Sequence, residues 1–326
     1  MQAQIVDGKY EIVRVLGQGG MGAVYEARNL GTGRRVALKV IVPEVPAQGS
    51  DIVERFGREV RASGAVDSQH VVQPLDVGVD PATRSPYMVM EFLAGEDVSQ
   101  IVERVGALPP DVVIRIAAQV CLGLARAHEA GIVHRDIKSA NIFLAERDAG
   151  EVVVKILDFG IAKVRLDPIA SAGRQLTKTG GVIGTPMYMS PEQAQGSKRL
   201  DHRSDIFSLG VVMYEALTGA TPLADCPTLA DAIVSVSSIP PRPLRERAPW
   251  VPPEVSAIVH RALAIRPDDR FQSITEMMTP LRALLPHGTA LTSTMLRSIP
   301  EKIRPGSGGR ERAPIGAAVQ PAPARD

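Results

Sequence analysis

The amino-acid sequence predicts an α+β fold with two lobes, a smaller strand-rich lobe over residues 1–93 and a larger helical lobe over residues 94–285. β-branched runs separated by glycine turns dominate the first part, whereas apolar residues at helical spacing dominate the second. Strands followed by helices, without regular alternation, are typical of α+β proteins. The chain has 326 residues, of which 44% are hydrophobic and 22% charged, so it is large enough to bury the core of such a fold.

Runs rich in β-branched and aromatic residues predict five strands in the first part of the chain. The segment Gly31–Gly33 predicts a turn between two of them. A helix is expected over Asp51–Val66, because it starts with an aspartate and repeats Ile52, Phe56 and Val60 on one side. The predicted strands are Tyr10–Leu16, Ala23–Arg28, Val36–Val42, Val71–Val79 and Pro86–Phe92.

After Gly95 the apolar periodicity becomes helical, most clearly over Pro110–Ala130. Two short strands are expected within this part, at Ile142–Leu144 and Val152–Leu157. Residues 286–326 are dominated by Pro, Gly, Arg, Ala and Ser, which predicts a flexible tail that does not dock on the core and is dispensable for activity. Further helices are predicted at Ser204–Leu217, Leu229–Val236, Pro253–Ala264 and Ile274–Leu284.

Net charge, cysteine content and the lack of long apolar runs indicate which partners and which compartment to expect for the protein. The net charge of +1 gives no electrostatic reason to expect nucleic acid or an anionic membrane as the main partner. Cys121 and Cys226 are too few for a disulfide framework and fit a reducing compartment. No apolar run reaches the ~18 residues that a membrane-spanning helix needs, and the N-terminus lacks the pattern of a signal peptide. We therefore expect a cytoplasmic protein with no membrane segment in this chain.

A glycine-rich segment, Gly17–Val24, has the pattern G-x-G-x-x-G-x-V. This pattern alone is a weak signal, because turns and dinucleotide-binding loops share it. A dinucleotide-binding loop needs a helix after its last glycine, whereas the residues after Val24 read as a strand that ends at the Gly31–Gly33 turn. The sequence therefore predicts a hairpin, in which Gly17, Gly19 and Gly22 let backbone amides approach phosphates because no Cβ blocks them.

Lys39 lies on the next predicted strand. Strand alternation places it on the same face as Ala37, and a small residue beside a lysine suits a nucleotide pocket. A lone lysine on a strand is usually a solvated edge residue. Glu59, on the helix expected to follow, is a partner that could hold Lys39 on the α- and β-phosphates of a nucleotide.

Three further motifs follow in order: His134–Asn141 with the sequence H-R-D-I-K-S-A-N, then Asp158–Gly160 with D-F-G, then Ser190–Glu192 with S-P-E. With the glycine segment and the lysine strand, this ordered set resembles the protein kinase family over Tyr10–Leu285. The resemblance implies the bilobal protein kinase fold and phosphoryl transfer from ATP, with Mg²⁺, or alternatively Mn²⁺, as the metal.

The resemblance also implies roles for individual residues. Asp136 would accept the proton of the attacking hydroxyl, and Lys138 would neutralise the migrating phosphoryl group. Asn141 and Asp158 would supply the oxygen ligands that Mg²⁺ prefers. The adenine pocket would consist of apolar side chains and of two backbone positions. Ordinary core packing would explain the presence of these apolar side chains nearly as well. The side chains are Leu16, Val24, Ala37, Met90 and Phe143, and the backbone hydrogen bonds would come from Glu91 and Leu93.

Other features resemble the bacterial serine/threonine branch of that family. Lys138 follows the catalytic aspartate at the spacing seen in serine/threonine kinases, and Thr185 begins a segment like their substrate-binding loop. Thr177 and Thr179 resemble an autophosphorylated pair, for which Arg135 would supply a cation. Phosphorylation of one copy by another would require the protein to associate with itself.

The sequence speaks against two alternatives to an active serine/threonine protein kinase. A pseudokinase that acts as a signalling scaffold would be expected to lack Lys39, Asp136, Asn141 or Asp158, and all four are present. A kinase acting on small molecules would be expected to lack both the long segment before Thr185 and the loop that begins there, and both are present. The sequence therefore predicts transfer to serine or threonine hydroxyls of protein substrates.

Overall fold

The computed structural model describes residues 4–19, 22–41, 57, 60, 64–158, 185–197 and 199–299. A six-stranded antiparallel sheet, in the order β1-β2-β3-β4-β6-β5, makes up the N-terminal lobe. Its strands are β1 Ile5–Val6, β2 Tyr10–Gly19, β3 Gly22–Asn29, β4 Arg35–Ile41, β5 Pro74–Val79 and β6 Pro86–Glu91. The five strands that the sequence predicts correspond to β2–β6. Of the predicted helix over residues 51–66, positions 57, 60, 64 and 65 are helical, and Glu59 lies outside the described residues.

The glycine-rich segment is a hairpin, as predicted. Strands β2 and β3 pair antiparallel up to Gly19 opposite Gly22. Gly22 has a φ of +144°, and a Cβ at this position would lie 2.0 Å from the carbonyl oxygen of Val40 on β4. Only glycine fits this close approach of two backbones, so the sheet itself requires glycine at position 22.

The second lobe is mostly helical. Its eight described helices are α1 Val98–Val105, α2 Pro110–Glu129, α3 Pro191–Ala194, α4 Arg203–Thr218, α5 Leu229–Ser238, α6 Leu244–Arg247, α7 Pro253–Ala262 and α8 Ile274–Ala283. Helix α4 is buried along nearly its whole length and lies at the centre of the main hydrophobic core. The predicted long helices match α2, α4, α5, α7 and α8 to within a few residues. Helix α1 was not predicted. It has only eight residues, and its three buried residues, Val98, Ile101 and Val102, are too few to show a helical period.

A four-stranded antiparallel sheet, in the order β10-β9-β8-β7, lies where the two lobes meet. It consists of β7 Gly95–Asp97, β8 Ile142–Glu146, β9 Glu151–Ile156 and β10 Leu291–Thr292. The backbone of β9 continues the contact into the first lobe, since Ile156 N–H donates to His70 O at 2.9 Å and Val72 N–H donates to Ile156 O at 3.0 Å. The strand that leads to Asp158 is thereby fixed to both lobes.

Residues 286–299 do not behave as the expected undocked tail. Leu291 is 1% exposed and belongs to the main core. The Arg115 side chain donates to the carbonyls of Gly288 and Ala290, and Gln119 Nε2 donates to Thr289 O at 2.8 Å. This docking combines backbone hydrogen bonds with a few apolar side chains, Leu291, Met295, Leu296 and Ile299, which are too scattered among small and polar residues to stand out in the sequence. Residues 300–326 lie outside the described residues.

Candidate active site

The His-Arg-Asp loop is anchored by a buried carboxylate of the central helix α4. Asp205 accepts the backbone N–H groups of His134 at 2.9 Å and Arg135 at 2.8 Å, and the side chain of His128 at 2.8 Å. Burial alone would raise the pKa of Asp205, but these hydrogen bonds and the nearby histidines bring it below its ordinary 3.8. Asp205 is therefore ionised and holds the loop by charge-assisted hydrogen bonds.

Two residues of this region adopt left-handed backbone conformations that non-glycine residues rarely use. Arg135 has a φ of +65° and Asp158 a φ of +44°. Such conformations are costly and persist where the surroundings enforce them. At Arg135 the enforcing contact is Asp205, which accepts its N–H, and Gln193 Nε2 donates to its carbonyl at 2.9 Å.

Hydrogen bonds join the His-Arg-Asp loop to the strand end that carries Asp158. His134 Nε2 donates to Leu157 O at 2.9 Å, which leaves Nδ1 to accept the N–H of Asp136 at 3.3 Å. Leu157 N–H in turn donates to Asn141 O at 2.8 Å. The predicted proton acceptor and both predicted metal ligands are thus connected through one short network.

Asp136, Lys138 and Asn141 form one cluster. Lys138 Nζ lies 3.2 Å from Asp136 Oδ2, and Asn141 Nδ2 donates to the same oxygen at 3.1 Å and to Asp136 O at 2.8 Å. Because the side-chain nitrogen Nδ2 of Asn141 makes both of these bonds, the side-chain oxygen Oδ1 is the atom left to face a cation. The Asp136 side chain is 9% exposed, so the cluster is partly shielded from water.

Lys39 extends from β4 across the cleft and pairs with Asp158, with Nζ and Oδ1 2.8 Å apart. Burial would raise the pKa of Asp158, but Lys39, together with His134 and Lys138, holds it below the ordinary 3.8. The predicted partner of Lys39, Glu59, lies outside the described residues. The two lobes thus place a lysine and a carboxylate, both predicted site residues, in direct contact.

The predicted adenine-pocket residues come from both lobes. Ala37 on β4 lies opposite Met90 on β6, and both pack with Leu93 in one apolar cluster. Val24 lies opposite Lys39 on the neighbouring strand, and Leu16 is exposed near the end of β2. Phe143 lies on β8 in the other lobe.

The segment after Thr185 is tied to the His-Arg-Asp loop and to the helical lobe. Thr185 begins a short 3₁₀ helix that ends at Tyr188. Gln193 reaches the carbonyl of Arg135, and Glu192 pairs with the buried Arg270 through two 2.8 Å bonds. Thr177 and Thr179 lie outside the described residues.

The sequence did not predict two features of this region, a hydrogen-bonded cluster around Glu215 and a buried lysine. Ser139 Oγ and Tyr188 OH both donate to Glu215 Oε2 of α4, the latter at 2.6 Å. Burial, reinforced by the charge of Glu215, raises the pKa of Tyr188 above its ordinary 10. The second feature is Lys155, a buried lysine in β9 that contacts Glu91. A lysine inside the β-branched run of residues 152–156 was the one available sequence signal for it.

No helix in the described part of the chain is long and apolar enough to cross a membrane. Both cysteines are free thiols.

Comparison with known proteins identifies relatives over most of the chain. The family model described as protein kinase domain matches residues 10–280. The chain is 38% identical over 309 residues to the serine/threonine-protein kinase Pkn1 of Myxococcus xanthus, covering 94% of this chain and 42% of that protein. It is 40% identical over 280 residues to the serine/threonine-protein kinase PknB of Mycolicibacterium smegmatis, covering 85% and 43%. The chain therefore spans less than half the length of these two relatives.

Solved structures give the same answer for the fold. The kinase domain of Mycobacterium tuberculosis PknI superposes with a TM-score of 0.63 at 26% identity, covering 87% of this chain and 98% of that one. The predicted bilobal α+β kinase fold is thus confirmed. Members of this family use ATP with a divalent metal and act on proteins. The ordered motifs, the bilobal fold and these relatives agree that the chain belongs to the protein kinase family, in its bacterial serine/threonine branch.

Proposed function

We propose that this chain is an active kinase that transfers the γ-phosphoryl group of ATP to serine and threonine hydroxyls of other proteins. The observation that carries the proposal is the connection of two clusters, Asp136 with Lys138 and Asn141, and Lys39 with Asp158, through the His134–Leu157 hydrogen bond. Phosphoryl transfer depends on positioning and on neutralisation of phosphate charge, and these clusters combine a carboxylate base with two lysines.

Asp136 is the group proposed to orient the substrate hydroxyl and accept its proton. Its Oδ2 is held by Asn141 and Lys138, so the carboxylate direction is fixed before any substrate arrives. Lys138 Nζ lies within 3.2 Å of this oxygen and would neutralise the charge of the phosphoryl group as it passes from ADP to the acceptor hydroxyl.

The oxygen atoms of Asn141 and Asp158 suit a magnesium ion, for which Mn²⁺ is the alternative. Both are hard donors, the amide nitrogen of Asn141 is already engaged with Asp136, and Asp158 is ionised beside Lys39. When bound, such an ion neutralises charge on the phosphates. Lys39 pairs with Asp158 in this structure, and we propose that with nucleotide present it also contacts the α- and β-phosphates, with Glu59 as its partner.

The nucleotide base would lie between the lobes. Ala37, Met90 and Leu93 already share one apolar cluster, and Val24 lies on the strand beside them. Leu16, Phe143 and the backbone of Glu91 complete the proposed pocket, and the hairpin glycines Gly17, Gly19 and Gly22 would cover the phosphates.

Regulation by autophosphorylation belongs to the same proposal. Thr177 and Thr179 would receive the phosphate, Arg135 would bind it, and Thr185 would contribute to the protein-substrate loop. Transfer between two copies would require self-association. The proposal includes no nucleic-acid partner.

The test is transfer of labelled phosphate from Mg·ATP to a generic basic protein, followed by identification of the modified amino acid. We expect phosphoserine or phosphothreonine, formed at ~1–100 s⁻¹ on a good substrate. Asp136→Asn and Lys39→Met should each abolish transfer and leave the fold intact. The matched control is Asp148→Asn, which changes an exposed aspartate of the β8–β9 turn. A wild-type protein that binds ATP and transfers no phosphate, to itself or to any protein, would favour the scaffold alternative instead.

A further inference from the structure

Lys155 is a buried charged residue for which phosphoryl transfer itself gives no role. It lies on β9, three residues before Asp158, and its side chain is only 4% exposed. An ammonium group in such a place must be paired with an anion, because burial of an isolated charge is very costly.

The anion is Glu91, the last residue of β6. Lys155 Nζ lies 2.5 Å from Glu91 Oε1, and the same oxygen accepts the backbone N–H of Gln73 at 3.1 Å. The backbone N–H of Glu91 in turn donates to Gln73 O at 3.3 Å. The side chain and the N–H of Glu91 are thus both occupied by protein partners.

These bonds belong to a closed ring that includes both lobes. Segment 70–73 is bonded to β9 through Ile156, whose N–H donates to His70 O and whose carbonyl accepts from Val72. The same segment is bonded to Glu91 through Gln73. Lys155 closes the ring by connecting Glu91 back to β9. Removal of Lys155 opens the ring at its one ionic contact.

The ring lies beside the proposed adenine pocket. Lys155 is the cross-strand partner of Phe143, and Glu91 directly follows Met90. The backbone of residues 91–93 is what the pocket would present to the edge of an adenine ring. A backbone hydrogen bond to a base depends on the direction of the carbonyl and the N–H, and the ring fixes that direction at Glu91.

We propose that Lys155 is a positioning residue for adenine recognition. It does not touch the nucleotide; it holds the Glu91 carboxylate, so that the backbone of residues 91–93 is preorganised to receive the base. The inference rests on the proposed nucleotide site. It differs from a simple stabilising role because it predicts a loss that is selective for ligands containing adenine.

The test compares binding of ADP and of inorganic tripolyphosphate, both with Mg²⁺, by calorimetry. Lys155→Met should weaken ADP binding about tenfold, within the usual range for coupling between neighbouring sites, and leave tripolyphosphate binding unchanged. Lys155→Arg, which keeps the charge, should restore most of the ADP affinity. In steady-state kinetics Lys155→Met should raise KM for ATP with little change in kcat, the pattern for loss of uniform binding. The matched control is Lys9→Met, which removes an exposed lysine paired with Asp7 in the N-terminal lobe.

A folded Lys155→Met protein that binds ADP as tightly as wild type would overturn the inference, and so would an equal loss of both ligands. If Lys155→Met does not fold because Glu91 is left unpaired, the Lys155→Met/Glu91→Gln protein removes both charges and keeps the side-chain shapes. Its ADP affinity should remain low, and wild-type affinity in this double variant would also overturn the inference. Failure of the wild-type protein to bind ADP would instead reject the proposed nucleotide site.

Discussion

Arg270 and Glu192, 78 positions apart in the chain, form a two-pronged ion pair in which Nη1–Oε1 and Nη2–Oε2 are each 2.8 Å apart. The Arg270 side chain is fully buried, and its remaining N–H groups donate to the carbonyls of Ala264, Arg203 and Ile265. Ser204 Oγ adds a hydrogen bond to Glu192. The pair fixes the segment that follows Thr185 to the helical lobe, and every charged group in it is hydrogen-bonded.

The first prediction is that Arg270→Met destabilises the protein by about 3 kcal/mol, because it leaves the largely buried carboxylate of Glu192 without its cation. The free energy of unfolding measured in urea checks this. The control is Arg242→Met, which removes an exposed pair with Glu246 and should cost less than about 1 kcal/mol. Equal effects of the two substitutions would contradict the importance assigned to burial.

The second prediction concerns pH. Burial would raise the pKa of Glu192, but Arg270 and Ser204 bring it below the ordinary 4.5, so the folded state binds the proton more weakly than the unfolded state. The stabilisation from Glu192 is therefore fully present above about pH 4.5 and is lost as the pH falls through the lower folded pKa. Unfolding free energies measured from pH 7 downwards should decline less steeply in Glu192→Gln than in wild type. Parallel curves would show that Glu192 does not contribute to acid sensitivity.

The third prediction replaces the expectation that everything after Leu285 is dispensable. Leu291 is buried in the main core, and Arg115 and Gln119 hold the carbonyls before it. Leu291→Ala should cost about 2–5 kcal/mol, and a chain ending at residue 285 should lose at least as much. A chain ending at residue 299 should unfold at the wild-type urea concentration. If the chain ending at 285 were as stable as that ending at 299, the docking of this segment would have no energetic weight.

Long periodic elements and ordered motifs could be predicted from the sequence, whereas contacts made by isolated residues could not. Strand β4 and helix α2 have enough apolar repeats to define their period, and their bounds agree closely with prediction. Strand β10 has two residues, too few to show any alternation. The prediction failed there because docking of that segment depends on Arg115 and Gln119, which are far away in sequence.

The site shows the same division. Asp136, Lys138, Asn141 and Asp158 could be predicted as site residues because phosphoryl transfer requires these residue types in a recognisable order. Lys155 and Glu215 were missed because their partners, Glu91 in one case and Ser139 with Tyr188 in the other, are brought together only by the fold. A buried lysine in a strand indicates that an anion must be near, but it does not indicate which one.

The last prediction is that the protein phosphorylates itself on Thr177, Thr179 or both, and that this raises its activity. Arg135 provides the structural reason. Its Nε is buried and has no hydrogen-bond partner within the part of the chain that the structure describes, and an unpaired buried donor is costly. Its backbone is held on both sides, by Asp205 at the N–H and by Gln193 at the carbonyl. A phosphothreonine bound by Arg135 would therefore attach the segment before Thr185 to a fixed residue next to Asp136.

A phosphothreonine can form 1–3 charge-assisted hydrogen bonds with such a cation, and a shift of about 1.4 kcal/mol changes the active population tenfold. Mass spectrometry after incubation with Mg·ATP should locate the phosphate on Thr177 or Thr179. The Thr177→Ala/Thr179→Ala protein should have about tenfold lower activity, and Arg135→Gln should be phosphorylated without gaining activity. Thr275→Ala, an exposed threonine on α8, is the control and should behave as wild type. A double variant as fast as wild type, or full activity without any phosphate on this segment, would show that both threonines are ordinary surface residues.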